Sequence, residues 1–393
     1  MQYSVSATVV FALGILTGSV LCQTSARAGD VEHSILLIVD GLSVKAVEEI
    51  ELPNMRRLAQ EGAYYRRVVG SAPYHANQGR WLDHHRDVSL PNPVMLAGSL
   101  LINGQTEYVH QVFQKLKRPT AHSTNSNYHS INDGFTYSYC DATLNCTDED
   151  ALYWAREFFK RGKPAYMRIH LQDLGRSARA SYQWEGNPPW ADNIWVEGSP
   201  YRRTAARVDR QVGEFVAFLK DSEQWDNTLL FLTADHGISH VGRHPYWDPA
   251  SAEAPMIIIG PGVRKGVTFE YADSIDIVPT LCHLAGVSIP ATAQGIVLSE
   301  ALENPPATNR QRDLTMQEIN DLIFRYDELL PRVQAAALQH PPTRGHVEVL
   351  DNEYYGLRRF GEWSDFGTVR RVYEHNAGLL SRLEQHAKDL GVE

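Results

Sequence analysis

The sequence predicts an α/β fold built on a mostly parallel central sheet, with a helical extension at its C-terminal end. Three observations predict it. Apolar strand-like runs alternate with amphipathic segments from Ser34 to Gly262. Three of those runs stop on an aspartate, as strands of an open sheet do where they deliver ligands to its carboxyl edge. After Gly286 the strand-like runs cease, and helical patterning takes over from Leu314.

In chain order, "SILLIVDG" (34–41) is a buried strand closing on Asp40. "LPNMRRLAQEGAYYRRVV" (52–69) reads as a short helix followed by a strand. "PVMLAGSLL" (93–101) opens a compact helix, with Pro93 suited to its first turn. "PAYMRIHLQD" (164–173) is a second strand ending on an acid. Between Tyr201 and Lys220, Ala205, Val208, Val212, Phe215, Val216 and Leu219 fall at helical spacing. That helix leads into "TLLFLTADHG" (228–237), and "APMIIIGPG" (254–262) is a further buried strand. "ENPPATNRQRD" (303–313) has linker composition, and the Trp-rich "WEGNPPWADNIW" (184–195) is a loop packed on its own domain or roofing the site.

The chain has 393 residues and a formal net charge of -10, with no run of five basic residues. That excludes a nucleic-acid polymer or an anionic membrane surface as its main partner. It leaves room for a small anionic ester, because a bound cation inverts the local field. Val5 to Cys22 is apolar and Ala26-Arg27-Ala28 has the small-x-small pattern of a cleavage site, so 1–28 reads as an export signal. The expected division is therefore a signal peptide over 1–28, a catalytic domain over 29–302 and helices packed on the core over 303–393. The mature protein is expected in the periplasm or secreted, without stable membrane insertion; nothing indicates its oligomeric state. Export suits a small loop disulfide between Cys140 and Cys146, while Cys282 reads as a buried thiol.

The chemistry concentrates at the strand ends. Asp40, Asp173 and Asp235 on parallel strands would converge at one edge, repel, and raise one another's pKa. A divalent cation resolves that conflict, and His236 adds a nitrogen ligand suited to zinc. Ser89 stands just before the helix near Pro93, where a neighbouring metal would favour its alkoxide as a nucleophile. Asn92 offers an amide to a developing oxyanion. Ser71, in "GSAPYHANQ", is the weaker candidate nucleophile because no small-residue helix follows it.

"LLIVDGL", "ELPNMRRLAQEGAYYRRV", "SLPNPVMLAGS", "TLLFLTADHG", "PMIIIGPGV" and "DSIDIVPTLCHLAGVSIP" follow one another in the order that resembles the alkaline phosphatase superfamily. The likeness is to its sulfatase and nucleotide pyrophosphatase/phosphodiesterase branches, over roughly Ser34 to Pro290. It implies an alkaline-phosphatase-like three-layer sandwich and one or two divalent cations, zinc first, with calcium, magnesium or manganese as alternatives. One metal would rest on Asp40, Asp235 and His236 with Ser89 bridging; a second would use Asp173 and a later His, for which His244 is preferred. The family's His shortly after Asp173 is replaced here by Arg176-Ser177, so His170 or Arg176 falls to compensation or substrate binding. "SLPNP" lacks the Arg that precedes formylglycine formation in sulfatases, and "SLPN" resembles the phosphodiesterase pattern with Ser for Thr. The implied activity is hydrolysis of a phosphodiester, phosphonate or phosphomonoester through Ser89. A sulfatase-like or one-metal hydrolase, and a non-catalytic binding protein on the same fold, are the alternatives.

Overall fold

The structure is a computed structural model that describes residues 31–70, 91–125, 134–140, 146–180, 188–244 and 248–392. Ser71, Ser89 and the first residues of the Trp-rich loop lie outside the described residues, as do residues 1–28. The expected Cys140–Cys146 bridge also falls there, since the Cys140 side chain is not described.

Eight strands form one sheet: β1 (His33–Val39), β2 (Ala63–Val69), β3 (Thr120–Thr124), β4 (Tyr137–Cys140), β5 (Tyr166–Leu171), β6 (Thr228–Thr233), β7 (Glu253–Ile259) and β8 (Val267–Asp273). Their order is β4-β3-β5-β1-β6-β7-β2-β8. All neighbouring pairs are parallel except β6–β7 and β2–β7, so β7 alone runs against the rest. An apolar run buried on both faces looks the same in either direction, which is why "APMIIIGPG" betrays no such reversal.

The helices are α1 (Val44–Glu49), α2 (Pro53–Glu61), α3 (Pro91–Ala97), α4 (Val109–Lys115), α5 (Asp148–Gly162), α6 (Asp173–Ala180), α7 (Pro200–Asp221), α8 (Pro249–Ala252), α9 (Ile277–Leu284), α10 (Met316–Ala337), α11 (Pro341–Glu353) and α12 (Val369–Asp389). Every residue of β1 is buried, and alternate side chains feed two different cores. Ile35, Leu37 and Val39 pack with Leu152, Val208 and Phe215 from α5 and α7. Leu36 and Ile38 pack with Phe113, Ile277 and Leu281 from α4 and α9. Helices on both faces of a mostly parallel sheet make the expected three layers.

Helix α7 shows how local chemistry fixes this arrangement. Ser199 accepts the Arg202 N–H as N-cap and Pro200 occupies the first turn. Its buried Asp209 accepts the backbone N–H groups of Asn54 and Met55 at 3.1 and 2.8 Å, so one helix caps the start of α2. The C-terminal helices pack on the core as well as on each other. Ile319 and Ile323 of α10 and Val372 of α12 share a cluster with Val69 at the end of β2 and Val94 of α3. Asn320 donates to the Gly70 carbonyl at 2.9 Å. Arg312 ties the linker to Asp273 and Asp276, both fully buried. Among the described residues no helix is long and apolar enough to cross a membrane.

Candidate metal centre at the carboxyl edge of the sheet

β1 and β6 are adjacent and in register, so the residues that follow them emerge side by side. Asp40 follows β1; Asp235 and His236 follow β6. Ligand atoms of these three residues lie within 4.8 Å of one another, and all three residues are buried. His236 Nε2 is 3.8 Å from Asp40 Oδ1 and 3.9 Å from Asp235 Oδ2. Its Nδ1 lies 2.7 Å from the Gly237 carbonyl, an arrangement that leaves Nε2 facing the carboxylates when Nδ1 carries the proton.

Two amides brace the acids. Asn92, wholly buried on α3, donates Nδ2 to Asp235 Oδ2 at 3.2 Å. Gln172, at the end of β5, donates Nε2 to Asp40 Oδ2 at 3.3 Å. His170, fully buried on β5, puts Nε2 3.7 Å from Asp235 Oδ2 and 4.0 Å from Asp40 Oδ2. His244 stacks on His236, ring centroids 4.1 Å apart. Thus Asp40, Asp235, His236, Asn92, His170 and His244 come together as residue types the sequence singled out, and Gln172 is an addition. Its signal was its place beside Asp173 at a strand end, where only the acid attracted notice.

Asp173 does not join this group. Its Oδ2 accepts from Arg207 at 2.9 Å and from the Asp148 backbone at 3.3 Å; its Oδ1 accepts from Asn125 at 3.2 Å. The backbone N–H of Asp173 in turn donates to Asp148 Oδ1 at 3.1 Å, so the two acids cap each other's helices. Arg176 is likewise turned inward, donating to the carbonyls of Cys146 and Asn125. The expected second metal ligand and the expected anion-binding arginine are therefore partners in one helix-capping network. Arg207, from α7, is the group that sequence proximity could not supply.

Electrostatics separate the two acids of the centre. Burial alone pushes both carboxyls up. Asp235 stays well above the ordinary range, with the Asp40 charge adding to the effect. Asp40 ends below it, because His236, Arg179 and the neighbouring imidazoles together outweigh its desolvation. His170 is pushed down to about 3, chiefly by burial, and is neutral at physiological pH. Among the described residues neither Asp40 nor Asp235 has a Lys or Arg in salt-bridge contact. Two buried acids contacted by imidazoles and amides, with Arg179 near Asp40 but not in salt-bridge contact, form a donor set that fits a divalent cation. Backbone geometry permits this crowding. A Cβ at Gly175 would stand 1.9 Å from Asp40 Oδ1, and one at Gly237 would stand 2.1 Å from the Ala250 carbonyl oxygen.

Residues 98–287 match the Sulfatase family model. That stretch of the chain is similar to the sulfatase family. The matched span includes His170, Asp235 and His236, while Asp40 and Asn92 precede it. The chain is similar to the choline-sulfatase of Rhizobium meliloti, 30% identical over 103 residues, or 25% of this chain and 20% of that protein. It is also similar to the arylsulfatase of Clostridium perfringens, 31% identical over 120 residues, or 28% and 25% of the two chains. The match thus spans a quarter or less of these relatives' length. Among solved structures, the chain shares its fold with an alkaline phosphatase superfamily protein from Vibrio parahaemolyticus (TM-score 0.52, 17% identity, 69% of this chain and 70% of that one). A phosphonate monoester hydrolase from Silicibacter pomeroyi gives a TM-score of 0.51 at 17% identity, over 71% and 78% of the chains. The chain shares its fold with these two solved structures.

Proposed function

We propose that this chain is a metal-dependent hydrolase of a small anionic phosphate ester, acting through a covalent intermediate on Ser89. The observation that carries the reading is the meeting of Asp40, Asp235 and His236 at one strand edge without a guanidinium or ammonium partner among the described residues. A divalent cation held there supplies Lewis acidity and favours deprotonation of a nearby hydroxyl when bound. The chain's own residues do the rest. Asn92 and Gln172 hold the two carboxylates in fixed orientations, so little reorganisation is needed when an ester arrives. Burial keeps bulk water from competing for those oxygens. Ser89 stands three residues before Asn92 and is the nucleophile the sequence supplies. The absence of an Arg at position 93 supports phosphorus chemistry at that serine.

A sulfate ester is the second reading, favoured by the names of the sequence relatives, which are sulfatases. Those names also support an extracytoplasmic site of action, since one relative is a putative extracellular sulfatase homolog from Caenorhabditis elegans. Metal analysis alongside a chromogenic phosphodiester, phosphonate, phosphomonoester and sulfate ester panel separates the readings. Phosphoester turnover lost in Ser89→Ala supports the first; sulfate ester turnover alone supports the second. Turnover unchanged in Ser89→Ala removes the nucleophile assignment.

A further inference from the structure

The metal reading above leaves open which donors complete the centre, and the inference that follows rests on it. We infer that His170 is a fourth protein ligand, so that Asp40, His170, Asp235 and His236 form a two-oxygen, two-nitrogen site built for zinc. His170 lies outside any ligand motif: it precedes Asp173 on β5, and only strand register delivers it. β5 pairs with β1 so that His170 stands opposite Ile38, and the Asp40 backbone donates to the Leu171 carbonyl at 2.8 Å. The imidazole is thereby set beneath the two carboxylates that follow β1 and β6.

Distances define the site. The four carboxylate–imidazole separations are 3.7 Å (His170–Asp235), 4.0 Å (His170–Asp40), 3.8 Å (His236–Asp40) and 3.9 Å (His236–Asp235). Ligands about 2.0–2.1 Å from a tetrahedral zinc stand about 3.4 Å apart, so these four separations need to contract by a few tenths of an ångström, with Asp40 turning to present a single oxygen to the ion. Asp40 turns one oxygen toward each imidazole, while Asp235 Oδ2 faces both. The amides of Asn92 and Gln172 donate to Asp235 Oδ2 and Asp40 Oδ2 and hold these same carboxylates, as outer partners of metal ligands do. Calcium and magnesium prefer shells of oxygen and water, and two imidazoles in four donors select against them.

The test uses the full chain, stripped with chelator and reconstituted with zinc, and reads the metal rather than turnover. X-ray absorption at the zinc edge is expected to show two imidazole nitrogens per zinc, and still two in His244→Ala. His170→Ala is expected to show one, with zinc affinity lowered at least about 100-fold in competition with a chromophoric chelator. Circular dichroism of the metal-free protein checks its fold. If His170→Ala does not fold, the spectra of the unaltered and His244→Ala proteins decide. One imidazole in the unaltered chain, or two retained in His170→Ala, overturns the assignment while leaving the metal reading intact. Failure to take up zinc while calcium, magnesium or manganese binds overturns the assignment alone; failure to take up any of these cations overturns both together.

Discussion

Two pairs of acids lie close together near the carboxyl edge of this sheet, and they are answered in different ways. Asp40 and Asp235 face imidazoles and amides. Asp148 and Asp173 face Arg207, Arg176, Asn125 and each other's backbone N–H groups. In the second pair Asp173 is answered by two guanidinium groups and both acids by helix-start N–H groups. The first pair has no such guanidinium in salt-bridge contact among the described residues, and that deficit marks it as a place for a cation. The comparison teaches that an acid at a strand end acquires its role from the partner brought by another element.

The largest effect is expected from Asp235→Ala. Stoichiometric metal should be lost and ester turnover should fall by at least about a thousandfold, while the metal-free protein stays as stable as the parent or becomes more so, since a buried carboxyl held in its unfavoured environment is removed. Metal analysis and denaturant unfolding check both parts. Metal retained at full occupancy would erase the distinction between the pairs.

Gly175→Ala should come next. The added methyl enters the space of Asp40 Oδ1, so zinc affinity is expected to fall by about 10- to 100-fold. A chelator competition reads this directly. Asp173→Ala is expected to behave in the opposite way: unfolding stability drops by about 1–3 kcal/mol as a helix cap and its hydrogen bonds go, while metal content is unchanged. Loss of one of two metals from a folded Asp173→Ala protein would restore the second site that the residue was expected to hold.

The smallest effect concerns pH. Burial pushes the Asp148 carboxyl up to about 7, with the Asp173 charge adding to it. Because the folded protein then holds a proton that the unfolded chain releases near pH 4, this group's contribution is most favourable below pH 4 and is lost as pH rises from about 4 to 7. Asp148→Asn should flatten that part of the stability profile. Urea midpoints between pH 4 and 7 measure it; an unchanged slope would show that Asp148 is already ionised in the folded state.

The sheet and the meeting of its first three candidate ligands were legible because their signals are local: an apolar run fixes a strand, and the residue after it fixes an edge position. Asp40, Asp235 and His236 needed nothing more. Asp173 gave the same local signal, but its partner Arg207 arrives from α7, 34 residues later. His170 was noticed without its place being fixed, since β5 is buried on both faces and alternation cannot tell which residues look toward the site. The reversal of β7 was invisible for the same reason.

The packing of α10 has a consequence for how this gene can be divided. Residues 303–313 have the composition of a boundary, yet Ile319 and Ile323 beyond them lie against Val94, two positions from Asn92, and Asn320 holds Gly70. A fragment ending at that seam would expose the back of α3 to water and release the end of β2. The seam is visible in the chain, but it is not a place to cut; shuffling this domain into another protein requires the helices to travel with it.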